Sequence, residues 1–286
     1  DKILIWVHGG GWLFGDKSSE RWVRRFHNHF SDHEKRNIYM IGYRTGEATA
    51  PNAVDDVMCA YKKILEDAIY RNFSKGEILE TNSQTAELIK LTENAYRDLN
   101  IAFANEISII CDNLNVDVFE LIKLANRHPR VDILKPSCGV GGHCISIDPW
   151  FIASQLPSQT PLIQTSRNVN NKKTEWSISK IIKTIKEFEK ENSESPKVGF
   201  LGLTFKPDID DIRESPAIKI VTYFSKNYSR ILISDPYIDY YKGFDLMSSQ
   251  DLIKESDIIV ILVAHNEFKN SDYMGKQIID LCGIFA

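Results

Sequence analysis

Val198-Gly199-Phe200-Leu201-Gly202-Leu203-Thr204-Phe205-Lys206-Pro207-Asp208-Ile209-Asp210-Asp211-Ile212-Arg213-Glu214-Ser215-Pro216 is the stretch that decides the fold class. Its first six residues are apolar or glycine, the composition of a strand covered on both faces. Ser215 then suits a helix N-cap and Pro216 a first helical position. Downstream, Ala217–Phe224 reads as helix, Ile231–Ser234 as strand, Ser249–Glu255 as helix and Ile258–Val263 as strand, with Ile278–Asp280 a further one. Strands alternating with helices predict an α/β unit with a parallel sheet under helical cover. The spacing of Gly199 and Gly202 is not GxGxxG, and that pattern occurs nowhere in the chain, so no dinucleotide fingerprint is read.

Upstream of this unit the periodicity is helical. Thr85–Asp112 places Leu88, Leu91, Ala95, Leu99, Ala102, Ile107 and Ile110 on a wide apolar stripe, with Asn82 or Ser83 as cap. Val116–Asn126 predicts a second helix, with Asn115 or Asp117 at its start. Arg127–Cys144, rich in Pro and Gly, reads as a loop. Pro149–Gln155 and Ser166–Glu189 read as further helices, and charged Lys190–Ser195 as a linker.

Bulk properties narrow the function classes. The 286 residues are 43% hydrophobic and 26% charged, an ordinary globular balance. A formal charge of -4 gives no reason to expect nucleic-acid or membrane-surface binding, so an anionic ligand must be held by local cations. No apolar run nears the roughly 20 residues of a membrane helix. The five cysteines contain no CxxC pair, which argues against a disulfide framework or a zinc site; no metal is expected, and a reducing cytoplasm fits.

Gly139-Val140-Gly141-Gly142-His143-Cys144-Ile145-Ser146-Ile147-Asp148-Pro149-Trp150 carries the chemistry. Three glycines in four residues let backbone approach a ligand closely. A cysteine leading into a helix start meets partial positive charge, which favours a thiolate nucleophile. A buried cysteine beside a glycine turn explains the same residues about equally well. On the preceding helix Lys90, Asn94 and Arg97, at i, i+4 and i+7, share a face, and a solvated stripe is the plain alternative.

GVGGHC followed by DPWF resembles the cysteine signature of nucleotide-sugar 6-dehydrogenases, in the form used by the branch that oxidises UDP-N-acetylmannosamine. Thr85–Glu106 resembles their central helix, and Gly202–Pro216 resembles their GLxFKxxxDDxRxSP motif. The resemblance covers about residue 77 onward. It implies Cys144 as nucleophile and Asp148 as proton mover, while Cys138, ahead of the glycines, is read as structural. It also implies Lys90 and Asn94 as stabilisers of a sugar oxyanion. Arg97, Gly141, Phe205 and Lys206 would contact a UDP-sugar, and His128 and Arg130 would reach it across a homodimer interface. Arg213 would reach toward NAD. Arg167 and Asn170 match a further family pattern, for which a structural role is expected.

The family's NAD-binding domain is not visible in the sequence. Residues 1–76 instead resemble the start of an α/β-hydrolase, through Ile3–Val7 and the HGGGW run His8–Trp12, without a following GxSxG serine. The expected organisation is therefore a partial hydrolase-like segment (1–76), a central helical, dimerising, catalytic-cysteine domain (77–190) and a Rossmann-like UDP-sugar-binding domain (191–286). NAD-dependent oxidation of a UDP-sugar C6 alcohol to the carboxylate is the implied chemistry, with this chain inactive on its own. A carboxylesterase-type fragment and a non-catalytic UDP-binding or dimerisation module are the alternatives.

Overall fold

A computed structural model describes residues 81–285. The expectations for the hydrolase-like segment and its HGGGW loop lie outside the described residues. The chain divides into two compact units, Asp1–Lys90 and Leu91–Ala286. Of the first, only the start of helix α1 (Ser83–Leu114) is described; there Asn82 Oδ1 accepts the Thr85 N–H at 2.8 Å, one of the two caps foreseen.

In the second unit α1 continues and is followed by α2 (Val118–Ala125), α3 (Asp148–Gln155), a 3-10 turn (Pro157–Gln159) and α4 (Pro161–Asn192). Then come β1 (Val198–Leu201), α5 (Pro216–Asn227), β2 (Ile231–Ser234), α6 (Ser249–Glu255), β3 (Ile258–Ile261), a second 3-10 turn (Asn266–Asn270) and β4 (Gln277–Asp280). Asp117 caps α2 by accepting the Phe119 and Glu120 N–H groups. Helix α4 begins five residues earlier than its periodicity predicts, because Pro161 supplies a favoured first position. It also runs into the expected linker, ending at Ser193 in the left-handed region (φ 57).

The four strands are all parallel, in the order β2-β1-β3-β4. Alternation of side chains decides the layers. Val198 and Phe200 of β1 join Ile258 and Val260 of β3 in one cluster with Ala217, Ile220, Val221 and Phe224 of α5 and with Ile181 and Ile185 of α4. Leu201, Ile259 and Ile261 point the other way, onto Leu252 and Ile253 of α6 and onto Phe268. Both faces are dry, as the continuous apolar runs require. The sheet ends earlier than the sequence implies at β1: Gly202 takes φ 94 and turns the chain out.

The buried face of α1 differs from the expected apolar stripe. Leu88 is 53% and Ile110 46% exposed, whereas Asn94, Ala95, Asp98, Ala102, Ala104, Asn105, Ser108 and Cys111 are buried. Small and polar residues face α4, and the two helices are joined in parallel by a polar seam. Arg167 pairs with Asp98, Asn170 Nδ2 donates to Asp98 Oδ1 at 2.7 Å, and Asn105 Nδ2 donates to Asn170 Oδ1 at 2.9 Å. Further along, Lys173 donates to Ser108 Oγ at 2.7 Å and Lys180 pairs with Asp112. Burial pushes the Asp98 carboxyl above its ordinary value, against the pull of the Arg167 charge. Arg167 and Asn170 thus hold the helices together.

Candidate active site

The loop after α2 delivers the cysteine. Its approach is fixed by the seam, since Ser137 N–H donates to Asn105 Oδ1 at 2.9 Å and Thr174 Oγ1 donates to the Cys138 carbonyl at 3.1 Å. Cys138 is 3% exposed, its Sγ lies 3.6 Å from the Leu262 carbonyl, and burial pushes its thiol up to about 12. It is a protonated packing residue. Cys144 is half-buried. Its carbonyl accepts the Ile147 and Asp148 N–H groups at 3.0 and 2.8 Å, so it belongs to the turn that precedes α3 rather than to the helix's own first turn.

The glycines before it are pressed against the β1–α5 connection. A Cβ on Gly141 would lie 2.7 Å from the Glu214 carbonyl, 2.8 Å from Phe205 Cβ and 2.9 Å from Pro216 Cδ. Gly142, at φ 82, would meet the Phe205 ring at 3.0 Å, and its N–H donates to the Arg213 carbonyl at 3.0 Å. The two motifs, sixty residues apart in sequence, therefore form one surface. Only a loop without side chains at Gly141 and Gly142 closes this tightly on Phe205.

Asn94 arrives from α1. It is 3% exposed, and its Nδ2 donates to Asp148 Oδ2 at 2.6 Å. Cys144, Asp148 and Asn94 are thus joined through the turn that begins α3. Arg213 closes the other side. Its guanidinium is 61% exposed and pairs with Asp211 at 2.6 Å. Hydrogen bonding to Asp211 holds its proton more tightly than usual. The Arg213 hydrogen bond in turn holds the Asp211 carboxyl below the ordinary value, with His143 contributing.

The remaining sequence candidates stand apart. Arg97 is exposed although Asn94, one turn before it, is buried, so the expected polar face is split. Lys206 is exposed at the tip of the β1–α5 turn, and its carbonyl accepts from Thr204 Oγ1 at 2.9 Å. His128 and Arg130 are exposed on the turn after α2, where Arg130 N–H donates to His128 Nδ1 at 3.3 Å. Among the described residues, no hydrogen bond or ion pair joins Arg97, His128, Arg130 or Lys206 to the Cys144 loop. Lys90 lies on α1 four residues before Asn94. Sequence reasoning missed Asp98, Lys173, Asp235 and His265. Asp98 was legible as the next residue on the Asn94 face; the others only become neighbours through the fold. Among the described residues, no group of His, Cys, Asp and Glu has the arrangement of a metal site.

Residues 84–172 match the central domain, and residues 199–286 the UDP binding domain, of the UDP-glucose/GDP-mannose dehydrogenase family. A separate family, described as BD-FAE, matches residues 1–88. The UDP-N-acetyl-D-mannosamine dehydrogenase of Campylobacter jejuni is 48% identical over 222 residues, covering 75% of this chain and 53% of that protein. The solved UDP-N-acetyl-mannosamine dehydrogenase of Staphylococcus aureus is 37% identical with a TM-score of 0.64, over 80% of this chain and 53% of that one. The UDP-D-ManNAc dehydrogenase of Pyrococcus horikoshii is 30% identical with a TM-score of 0.67, over 94% and 66%. The chain spans about half the length of the curated relatives it matches. From residue 84 to residue 286, the chain belongs to the UDP-glucose/GDP-mannose dehydrogenase family.

Proposed function

We propose that this chain carries the substrate and cysteine half of an enzyme that oxidises the C6 alcohol of a UDP-sugar to the carboxylate, with UDP-N-acetylmannosamine the favoured substrate. The observation that carries the reading is the closure of the Cys144 loop on the Phe205–Pro216 turn. It sets a half-buried thiol, a carboxylate and an exposed guanidinium around one surface.

The residues divide the work. Phe205 and Lys206 hold the nucleotide-sugar at the carboxyl end of the sheet, where open parallel sheets take ligands. Arg97 and the backbone at Gly141 complete the contact. Asn94 donates to the reacting oxygen, and Lys90 balances the charge that develops there. At the aldehyde stage Cys144 Sγ bonds to C6 and gives a thiohemiacetal. After the second oxidation the same sulfur holds a thioester. Asp148, oriented by Asn94, takes the proton of the water that releases the acid. Arg213 is exposed, cationic and beside Cys144, which fits an anionic cofactor at the reaction centre. NAD, when bound, supplies the hydride acceptor for both oxidations.

A homodimer is part of the proposal. Tyr96, Phe103 and Ile110 of α1 are exposed at seven-residue spacing and offer an apolar seam for a second copy, which would bring His128 and Arg130 to the neighbouring site. Among the described residues no helix is long and apolar enough to cross a membrane, and a cytoplasmic location is inferred with the sugar-nucleotide chemistry.

Calorimetry with UDP tests the reading. Binding should weaken at least tenfold in Lys206→Ala, and the full chain failing to take up UDP would overturn it. With NAD and UDP-N-acetylmannosamine the chain alone should give no NADH. Turnover that disappears in Cys144→Ala would refute that inactivity while supporting the cysteine's role.

A further inference from the structure

The carboxyl end of the sheet holds a buried polar cluster that the cysteine chemistry does not use. His265, fully buried after β3, has its Nε2 3.2 Å from Asp235 Oδ2 and 3.2 Å from Thr204 Oγ1. Its Nδ1 accepts the Asp208 N–H at 3.0 Å. A ring nitrogen that accepts carries no proton, so the imidazole is neutral with its hydrogen on Nε2. Thr204 Oγ1 spends its own hydrogen on the Lys206 carbonyl and leaves a lone pair for His265. Asp235 Oδ2 also accepts the Leu203 N–H at 2.6 Å, and Oδ1 accepts the Tyr237 N–H at 2.8 Å. Burial pushes the Asp235 carboxyl up, but the hydrogen bonds from His265, Leu203 and Tyr237 outweigh it and leave it below its ordinary value.

Asp208 needs this support. Its φ of 58° lies in the left-handed region, which a residue with a side chain adopts sparingly and holds through local hydrogen bonds. Its backbone is gripped by His265, while its carboxylate accepts the Asn266 N–H at 2.9 Å and the Tyr237 hydroxyl at 3.3 Å. Three strand ends therefore converge on one short turn: β1 runs into it, Asp235 follows β2 and His265 follows β3. The strands themselves are already paired and dry on both faces. What the cluster adds is rigidity in Thr204–Asp208, the turn whose Phe205 seats Gly141 and Gly142.

We infer that His265 and Asp235 are positioning residues of the nucleotide-sugar site: they latch the Thr204–Asp208 turn, so that Phe205 seats the Cys144 loop and Lys206 is presented at a fixed place. The geometry stands on its own; the identity of the ligand rests on the function proposed above.

Three variants of the full chain separate the latch from general stability. His265→Ala removes all three hydrogen-bond contacts of the ring. His265→Asn keeps an acceptor near the Asp208 N–H, and His265→Gln keeps a donor toward Asp235. Hydrogen exchange at the Thr204, Phe205 and Asp208 amides should accelerate at least tenfold in His265→Ala, with the β3 amides Ile259–Ile261 unchanged. His265→Asn should restore protection at Asp208. Alkylation of Cys144 by iodoacetamide, read peptide by peptide, should change at least threefold, and UDP affinity should fall about tenfold. Should His265→Ala not fold, Asp235→Asn carries the same measurements. Unchanged exchange in the turn, or equal acceleration in turn and strands, would overturn the latch. A wild-type chain that takes up no UDP would overturn the nucleotide reading instead, with the exchange data still judging the latch.

Discussion

Gly141→Ala is the sharpest probe of the contact between the two motifs. The new methyl would meet three atoms at 2.7, 2.8 and 2.9 Å, and none is the free end of a flexible side chain: one is a backbone carbonyl, one the Cβ of Phe205, one a proline ring carbon. Overpacking of this kind costs about 1–3 kcal/mol, and the rigidity of all three neighbours argues for the upper half of that range. Gly141 is not among the glycines with positive φ, so alanine also stiffens the unfolded chain and returns about 0.4–1 kcal/mol. The net loss is about 1–2.6 kcal/mol, which for a body of this size lowers Tm by about 2–10 °C. Thermal unfolding by circular dichroism reads it. Gly243→Ala is the control for backbone strain alone, because its φ is 97° and nothing lies within 4 Å of its Cβ. Gly141→Ala should also change the rate of Cys144 alkylation, whereas Gly243→Ala should not. A Gly141→Ala protein with wild-type Tm and an unchanged Cys144 rate would refute the packing argument.

Iodoacetamide at pH 8 should modify Cys144 well before Cys138 or Cys282, whose thiols burial pushes up, and peptide mass spectrometry would show the order; equal labelling of Cys138 would contradict its burial. Burial lowers Lys173 to about 7, so between pH 7 and its unfolded value the unfolded chain binds the extra proton and stability rises with pH. Relative to Lys173→Met, the wild type should therefore gain roughly 1.4 kcal/mol from pH 8 to pH 9 in urea unfolding, and parallel curves would refute the shift. Arg167→Met strands the buried Asp98 carboxyl and should cost about 3–5 kcal/mol by the same assay, with Asp98→Leu added to it recovering part of the loss.

The alternation of strands and helices after residue 198 was plain in the sequence because each run there serves one purpose: β1 and β3 are apolar throughout since both faces are covered. Helix α1 was legible in extent but not in orientation. Its buried side carries Asn94, Asp98, Asn105 and Ser108, which a hydrophobic period assigns to solvent, and only their partners, Asp148 at the start of α3 and Arg167, Asn170 and Lys173 on α4, make that burial tolerable. The same difficulty split Asn94 from Arg97. The cysteine motif could be read as nucleophile or packing residue; the fold buries Cys138 and leaves Cys144 half-buried, as the proposed role for Cys144 needs. Ser215 was a sound choice by position, since α5 does begin after it, yet its hydroxyl makes no capping bond and lies buried without a partner. The Asp235–His265 pair left no local signal, because its members meet only where three strand ends converge.

Helix α4, 32 residues and so about 48 Å long, is clamped at both halves: Arg167, Asn170 and Thr174 grip the helical layer and the Cys138 carbonyl, while Ile181 and Ile185 are sunk in the sheet's interior. A continuous strut of this kind forbids a hinge between the cysteine's layer and the sheet. A ligand of the proposed site would therefore enter and leave past its rim, and any motion that opens or shuts it has to come from elements that α4 does not thread.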